Sequence, residues 1–115
     1  KLGAQAGEPL KVVDDQRGNP TSTDAVAELI ERLLETPVPG VVHGSCEGEA
    51  SWFEFAQAIY KRAGLVRGLM PCTTAEFPRP APRPANSRLE KRVLRLAGLP
   101  PMPHWEEALE KFVRA

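Results

Sequence analysis

Leu10-Lys11-Val12-Val13-Asp14, halted by Asp15-Gln16-Arg17-Gly18-Asn19-Pro20, decides the class of fold. The first five residues are a β-branched run and the next six are turn formers, so the chain is predicted to enter a strand and leave it by a loop. Downstream, Val26, Leu29, Ile30 and Leu33 fall at i, i+3, i+4 and i+7, the spacing of one helix face, with Glu28 and Arg32 as an outward i,i+4 pair. Thr21 or Thr23 is the expected cap, and Pro37 and Pro39 end the helix. Gly40-Val41-Val42-His43-Gly44 is short, apolar and bracketed by glycine, which reads as a second buried strand, residues 41–44, parallel to the first. This alternation of strand and helix predicts α/β architecture.

Ser51 and Glu54 have the spacing of a capping box and open a helix with Trp52, Phe55, Ala56, Ile59 and Ala63 inward, stopped by Gly64. Leu69-Met70-Pro71-Cys72-Thr73 reads as an edge-like strand, because proline is excluded from the middle of a hydrogen-bonded ladder. Prolines at 78, 80, 82 and 84 predict an extended connector, and their two-residue period is wrong for PxxP recognition. Ser87 and Glu90 repeat the capping-box spacing and predict a helix carrying Leu89, Val93, Leu96 and Ala97 to a stop at Gly98. Pro100, Pro101 and Pro103 force a turn into a last helix with Trp105, Ala108, Leu109, Phe112 and Val113 on one face and Glu106 and Glu107 at its positive end. The sum is two short parallel strands with four helices around them. Residues 1–9 read as the tail of an interrupted helix running into a turn, as in a fragment of a longer chain, and no internal repeat is visible.

A chain of 115 residues suits one lobe and buries roughly two-thirds of its extended surface. Fifteen basic and fifteen acidic residues cancel with no basic block, so the electrostatic footprint of a nucleic-acid binder is missing. No run reaches the length of a membrane span and the start carries no signal peptide, which points to a cytoplasmic protein. Cys46 and Cys72 do not make a secreted disulfide framework, and reduced, partly buried thiols are expected.

The stretch that carries binding chemistry is Arg83-Pro84-Ala85-Asn86-Ser87-Arg88-Leu89. Pro84 pushes Arg83 towards extended backbone, so the guanidinium is aimed by the chain, and a helix start at Ser87 would turn its N–H groups back on the same loop. An arginine beside a helix N-terminus suits a phosphate; by default, a loop arginine in a proline-rich run is a solvated surface group. Other chemistry is sparse. There is no G-x-G-x-x-G, no P-loop, and Tyr60 has no lysine four residues on, so no cofactor fingerprint and no catalytic residue is assigned. His43 and Cys46 lack the second tight pair that a zinc module needs, leaving His43 as a histidine satisfied by a backbone carbonyl and His104 as part of a helix entry. Asp14 and Asp15, adjacent on a strand, point to opposite faces and suit anchoring rather than acid/base work. Trp52 and Trp105 are read as core or interface anchors.

Val13-Asp14-Asp15-Gln16-x-Gly18-x-Pro20-Thr21, Gly40-Val41-Val42-His43-Gly44, Ser51-Trp52-Phe53-Glu54-Phe55-Ala56 and Arg83-Pro84-x-Asn86-Ser87-x-Leu89, in this order, resemble one family. It is the C-terminal, substrate-binding part of the dTDP-4-dehydrorhamnose reductases, which are extended short-chain dehydrogenases, and the likeness runs from about Leu10 to the end. The resemblance implies a small substrate-binding lobe whose N-terminal Rossmann part is absent here. That absent part would hold NADPH or NADH and the tyrosine and lysine of hydride and proton transfer, so the parent would be an oxidoreductase while the lobe alone would be inactive and bind no nicotinamide cofactor. The implied partner is a dTDP-sugar, held by Arg83, Asn86 and Ser87, with Gln16 approaching from the loop after the strand, where α/β proteins place ligands. Magnesium-linked pairing occurs in part of the family, but no metal ligand can be placed on this chain. A lobe that has lost its other half should expose an apolar patch and self-associate, hence a homo-oligomer. The regulatory subunit of methionine adenosyltransferase shares the architecture without reducing anything, so a non-catalytic binding module is the alternative, and an upstream glycine-rich turn with a Tyr-x-x-x-Lys would discriminate the two.

Overall fold

The structure, a computed structural model, describes residues 7–115. Its elements in chain order are β1 (Leu10–Val13), β2 (Arg17–Gly18), α1 (Thr23–Glu35), β3 (Ala50–Ser51), α2 (Trp52–Ala63), β4 (Leu69–Cys72), α3 (Arg92–Leu96) and α4 (Trp105–Arg114). The α/β class and the number of helices are as predicted. Of the expected helix tail and turn over residues 1–9, positions 1–6 lie outside the described residues. The chain divides into two compact units, one comprising the described residues up to Gly18 with Ala50–Ser87, the other Asn19–Glu49 with Arg88–Ala115.

In the first unit β1 is the predicted strand, but its parallel partner is β4, with Leu10 opposite Leu69 and Val13 opposite Cys72. The expected pairing with residues 41–44 does not occur. Gly40 turns at φ 88°, Val41 is 78% exposed, and no strand forms there. That segment belongs to the second unit and is held by single bonds: His43 Nδ1 lies 2.9 Å from the Glu90 carbonyl, and the Cys46 N–H donates to Thr21 Oγ1 at 3.1 Å. Gly40, in the left-handed region, turns the chain just before the two valines and leaves a run too short to build a ladder.

Pro71 sits in the middle of β4 without cost. Leu10 N–H donates to the Gly68 carbonyl and Asp14 N–H to that of Cys72, both at 2.9 Å, so residues 68, 70 and 72 face β1 and residue 71 faces the outer edge. The missing N–H falls where no bond to β1 was required. Packed on this sheet, α2 starts at the predicted capping box: Ser51 Oγ accepts from the Glu54 N–H, Glu54 reaches back to the Ser51 N–H, and Gly64 closes the helix in the left-handed region. Phe55, Ala56 and Ile59 are half-buried as expected, but Trp52 is 60% exposed and Ala63 is also exposed, so neither belongs to the core.

In the second unit α1 is capped by Ser22, whose hydroxyl accepts from the Ala25 N–H at 3.2 Å, rather than by Thr21 or Thr23. Thr21 is drawn away to the Asn19 carbonyl and the Cys46 N–H. Ala25 and Leu29 are the buried pair of α1, while Ile30, read as inward, is exposed. The remaining core of this unit is Cys46, Leu94, Met102, Trp105, Ala108 and Leu109. Glu47 and His104 pair as extended backbone, with Glu47 N–H donating to the Pro103 carbonyl at 2.9 Å and Trp105 N–H to the Glu47 carbonyl at 3.0 Å. Between them Gly48 takes φ 78°, and the Asn19 side chain clamps the turn by donating to the Gly48 carbonyl at 2.6 Å. Lys91 is buried with its ammonium on the Cys46 carbonyl at 3.2 Å and 3.5 Å from the Glu47 carboxylate, which compensates a cation removed from water.

The helix predicted at Ser87 does not start there. Ser87 donates its N–H to the Arg17 carbonyl at 2.9 Å, Glu90 pairs with Arg95, and α3 begins five residues later with Lys91 at its cap position and no side-chain cap bond. A long-range backbone pair has overridden a local Ser-x-x-Glu signal.

Candidate functional site

Candidate ligand groups in the first unit converge on β2, because Arg17 pairs on both sides. Arg17 is opposite Ser51 of antiparallel β3, and across its other side it bridges Asn86 in parallel, through Arg17 N–H to the Ala85 carbonyl and Ser87 N–H to the Arg17 carbonyl, both at 2.9 Å. The Ser87 hydroxyl lies 3.3 Å from the same carbonyl. Residues 85–87 are thereby laid alongside the loop that carries Gln16, and Arg83 stands two residues before that ribbon.

Behind it, a charged network fixes the start of α2. The Arg17 guanidinium forks onto Glu54 at 2.9 and 3.3 Å, while the Ser51 hydroxyl donates to Asp14 at 2.5 Å. Glu54 therefore serves both the capping box and an ion pair. Bidentate geometry of this kind gives Arg17 a fixed direction, which lysine would not reproduce.

In front of it lies the turn after β4. Asp15 accepts from both the N–H and the hydroxyl of Thr74, and those two bonds, the hydroxyl first, hold its carboxyl below the ordinary range. Glu76 does the same for Thr73, and the Thr73 N–H followed by its hydroxyl depresses that carboxyl too. Asp14 and Asp15 thus anchor different elements, as their opposite faces predicted.

Of the four residues expected to bind ligand, three share the ribbon around β2 or its loop. Asn86 and Ser87 are in it, and Gln16 immediately precedes it. Gln16 is half-buried and its side-chain amide donates to Thr74 Oγ1 at 3.0 Å. Arg83 is exposed and makes no hydrogen bond or ion pair with another described residue. The helix N-terminus once expected behind it is replaced by extended backbone, so phosphate recognition there would rest on the guanidinium and on loop N–H groups, not on a helix dipole. Thr74 escaped the sequence reading altogether. It is 58 residues from Gln16, and no local spacing reveals such a bond.

His43 is satisfied by a backbone carbonyl and His104 caps α4, its Nδ1 accepting from the Glu106 N–H at 3.3 Å. Cys46 and Cys72 are buried and free. Among the described residues no three His, Cys, Asp or Glu side chains come together as a metal cage, and no helix is long and apolar enough to cross a membrane.

The model of the RmlD substrate binding domain matches residues 2–115. The chain belongs to that family. Among its relatives, the spore coat polysaccharide biosynthesis protein SpsK of Bacillus subtilis is 41% identical over 96% of this chain and 38% of its own length. A dTDP-4-dehydrorhamnose reductase of Mycobacterium tuberculosis is 43% identical over 92% of this chain and 36% of its own. The chain therefore spans little more than a third of the length of these curated relatives. A crystal structure of the dTDP-4-dehydrorhamnose reductase of Bacillus anthracis in complex with NADP superposes with a TM-score of 0.89 at 39% identity, over 95% of this chain and 39% of that one. Membership of the RmlD substrate binding domain family is what the four ordered motifs implied.

Proposed function

We propose that this chain is the sugar-nucleotide-binding lobe of a NAD(P)H-dependent dTDP-4-dehydrorhamnose reductase, an extended short-chain dehydrogenase that reduces the 4-keto group of a dTDP-linked sugar. The observation that supports this is the family match along nearly the whole chain, joined to close superposition on a reductase of the same name. In this reading the nicotinamide cofactor and the groups that move hydride and proton belong to a part of the enzyme outside this chain, and the enzyme works in the cytoplasm as a homo-oligomer. The contribution of this lobe is to bind and orient the substrate.

Arg83 supplies the charge for the diphosphate or sugar, in the planar donor geometry that suits phosphate oxygens. Asn86 and Ser87 hold the ribbon from which Arg83 projects, and Gln16 adds a neutral polar contact. Because Arg83 is exposed and unpaired with other described residues, replacing it should leave the fold intact. In the reductase that carries this lobe, Arg83→Ala is expected to weaken thymidine diphosphate binding by about 1.5–3 kcal/mol, the value of a charged hydrogen bond, measured as a dissociation constant. An unchanged constant would return Arg83 to the solvent.

The lobe by itself is expected to consume no NADPH when mixed with a dTDP-4-keto sugar, since no glycine-rich phosphate turn or Tyr-x-x-x-Lys occurs in its sequence. Loss of absorbance at the NADPH band with the purified chain would overturn that division of labour.

A further inference from the structure

The loop that carries Gln16 has a fixed hydrogen-bond polarity. An ionised carboxylate accepts and cannot donate. Asp15 is such a carboxylate, and the Thr74 hydroxyl gives its only proton to it at 2.6 Å, while the Thr74 N–H lies 3.0 Å from each Asp15 oxygen. Thr74 Oγ1 can then only accept from its other neighbour, and that neighbour is the Gln16 amide nitrogen at 3.0 Å. A carboxamide ordinarily has two orientations of nearly equal energy. Here one is selected: the NH2 end faces Thr74 and the carbonyl Oε1 is turned the other way.

We infer that Asp15 and Thr74 are positioning residues that hold Gln16 so as to present its Oε1 to the sugar nucleotide as a hydrogen-bond acceptor. The inference rests on the reading of Gln16 as a substrate contact, and it deepens that reading by fixing the chemistry. The ligand group met at Gln16 Oε1 is then a donor, an N–H or O–H. Arg83 and Gln16 then divide the ligand by charge, the cation taking the acceptor oxygens and the amide carbonyl a neutral donor. Asp15→Asn breaks the logic without removing bulk, because an amide at 15 can donate to Thr74 and release the hydroxyl proton towards Gln16, which turns the carboxamide over.

The test is a set of dissociation constants for the reductase carrying this lobe, measured with thymidine diphosphate and with dTDP-glucose. Thr74→Val is expected to weaken binding roughly three- to tenfold, the scale of one lost neutral hydrogen bond, and Thr74→Ser to restore it. Asp15→Asn should weaken binding in the wild-type background and cost nothing further once Gln16→Ala is present, which a merely structural role of Asp15 would not reproduce. An effect on both ligands places the donor on the nucleotide; an effect confined to dTDP-glucose places it on the hexose. Wild-type protein that binds neither ligand overturns the functional reading and this inference with it. Wild-type binding that Thr74→Val leaves unchanged, or an Asp15→Asn penalty that persists in the Gln16→Ala background, overturns the inference alone.

Discussion

Gly48→Ala is expected to destabilise the protein by about 2–4 kcal/mol, seen as a lower midpoint of thermal or denaturant unfolding. Two costs add. Alanine must adopt φ 78°, a left-handed conformation that an L side chain resists, and its Cβ would come within 2.2 Å of His104 Nε2. The imidazole cannot simply swing aside. Its other nitrogen caps α4 through the Glu106 N–H, and the His104 backbone is paired with Glu47. Gly64 supplies the control: it too is left-handed, at φ 64°, but nothing lies within 4 Å of an added Cβ. Gly64→Ala should therefore cost only the conformational share, about 1 kcal/mol. Equal losses at the two positions would show that the His104 contact is harmless.

Trp105→Ala is expected to be the most damaging single truncation, at about 3–5 kcal/mol, because the indole is 6% exposed in the core of its unit and no smaller side chain fills the space it leaves. Phe112, two residues from the end of the same helix, is expected from the sequence to share its inward face, yet it is 74% exposed. Phe112→Ala should fall within about 0.5 kcal/mol of wild type. Comparable losses for the two would mean that the buried face of α4 runs through Phe112 after all.

The sequence was legible where one element reports on itself. The capping box of α2, its glycine stop, the β-branched run of β1 and the proline-marked edge strand are all local signals, and each is present in the structure at its predicted place. It failed where distant residues compete for the same backbone. Ser87 carries a helix-start signal identical in kind to that of Ser51, but the Arg17 carbonyl, 70 residues away, takes its N–H. Thr21 was a plausible cap until Asn19 and Cys46 engaged its hydroxyl. The Val41-Val42 pair has strand composition, but among the described residues it pairs with no strand. The candidate site divides along the same line. Arg83, Asn86, Ser87 and Gln16 could be named from motifs, whereas Thr74, which sets the Gln16 amide, could not, since composition and spacing carry no trace of a bond across 58 residues.

Pro71 gives the small parallel sheet a direction of growth. Stacking of strands into an unlimited ribbon needs every copy to offer two joinable sides. With a ring nitrogen where the central outward N–H of β4 should be, that side lacks one donor, while among the described residues no strand covers the outer side of β1. A strand approaching that edge would find one rung of its ladder missing, so a single imino acid weakens the outer side of β4 as a template for further pairing.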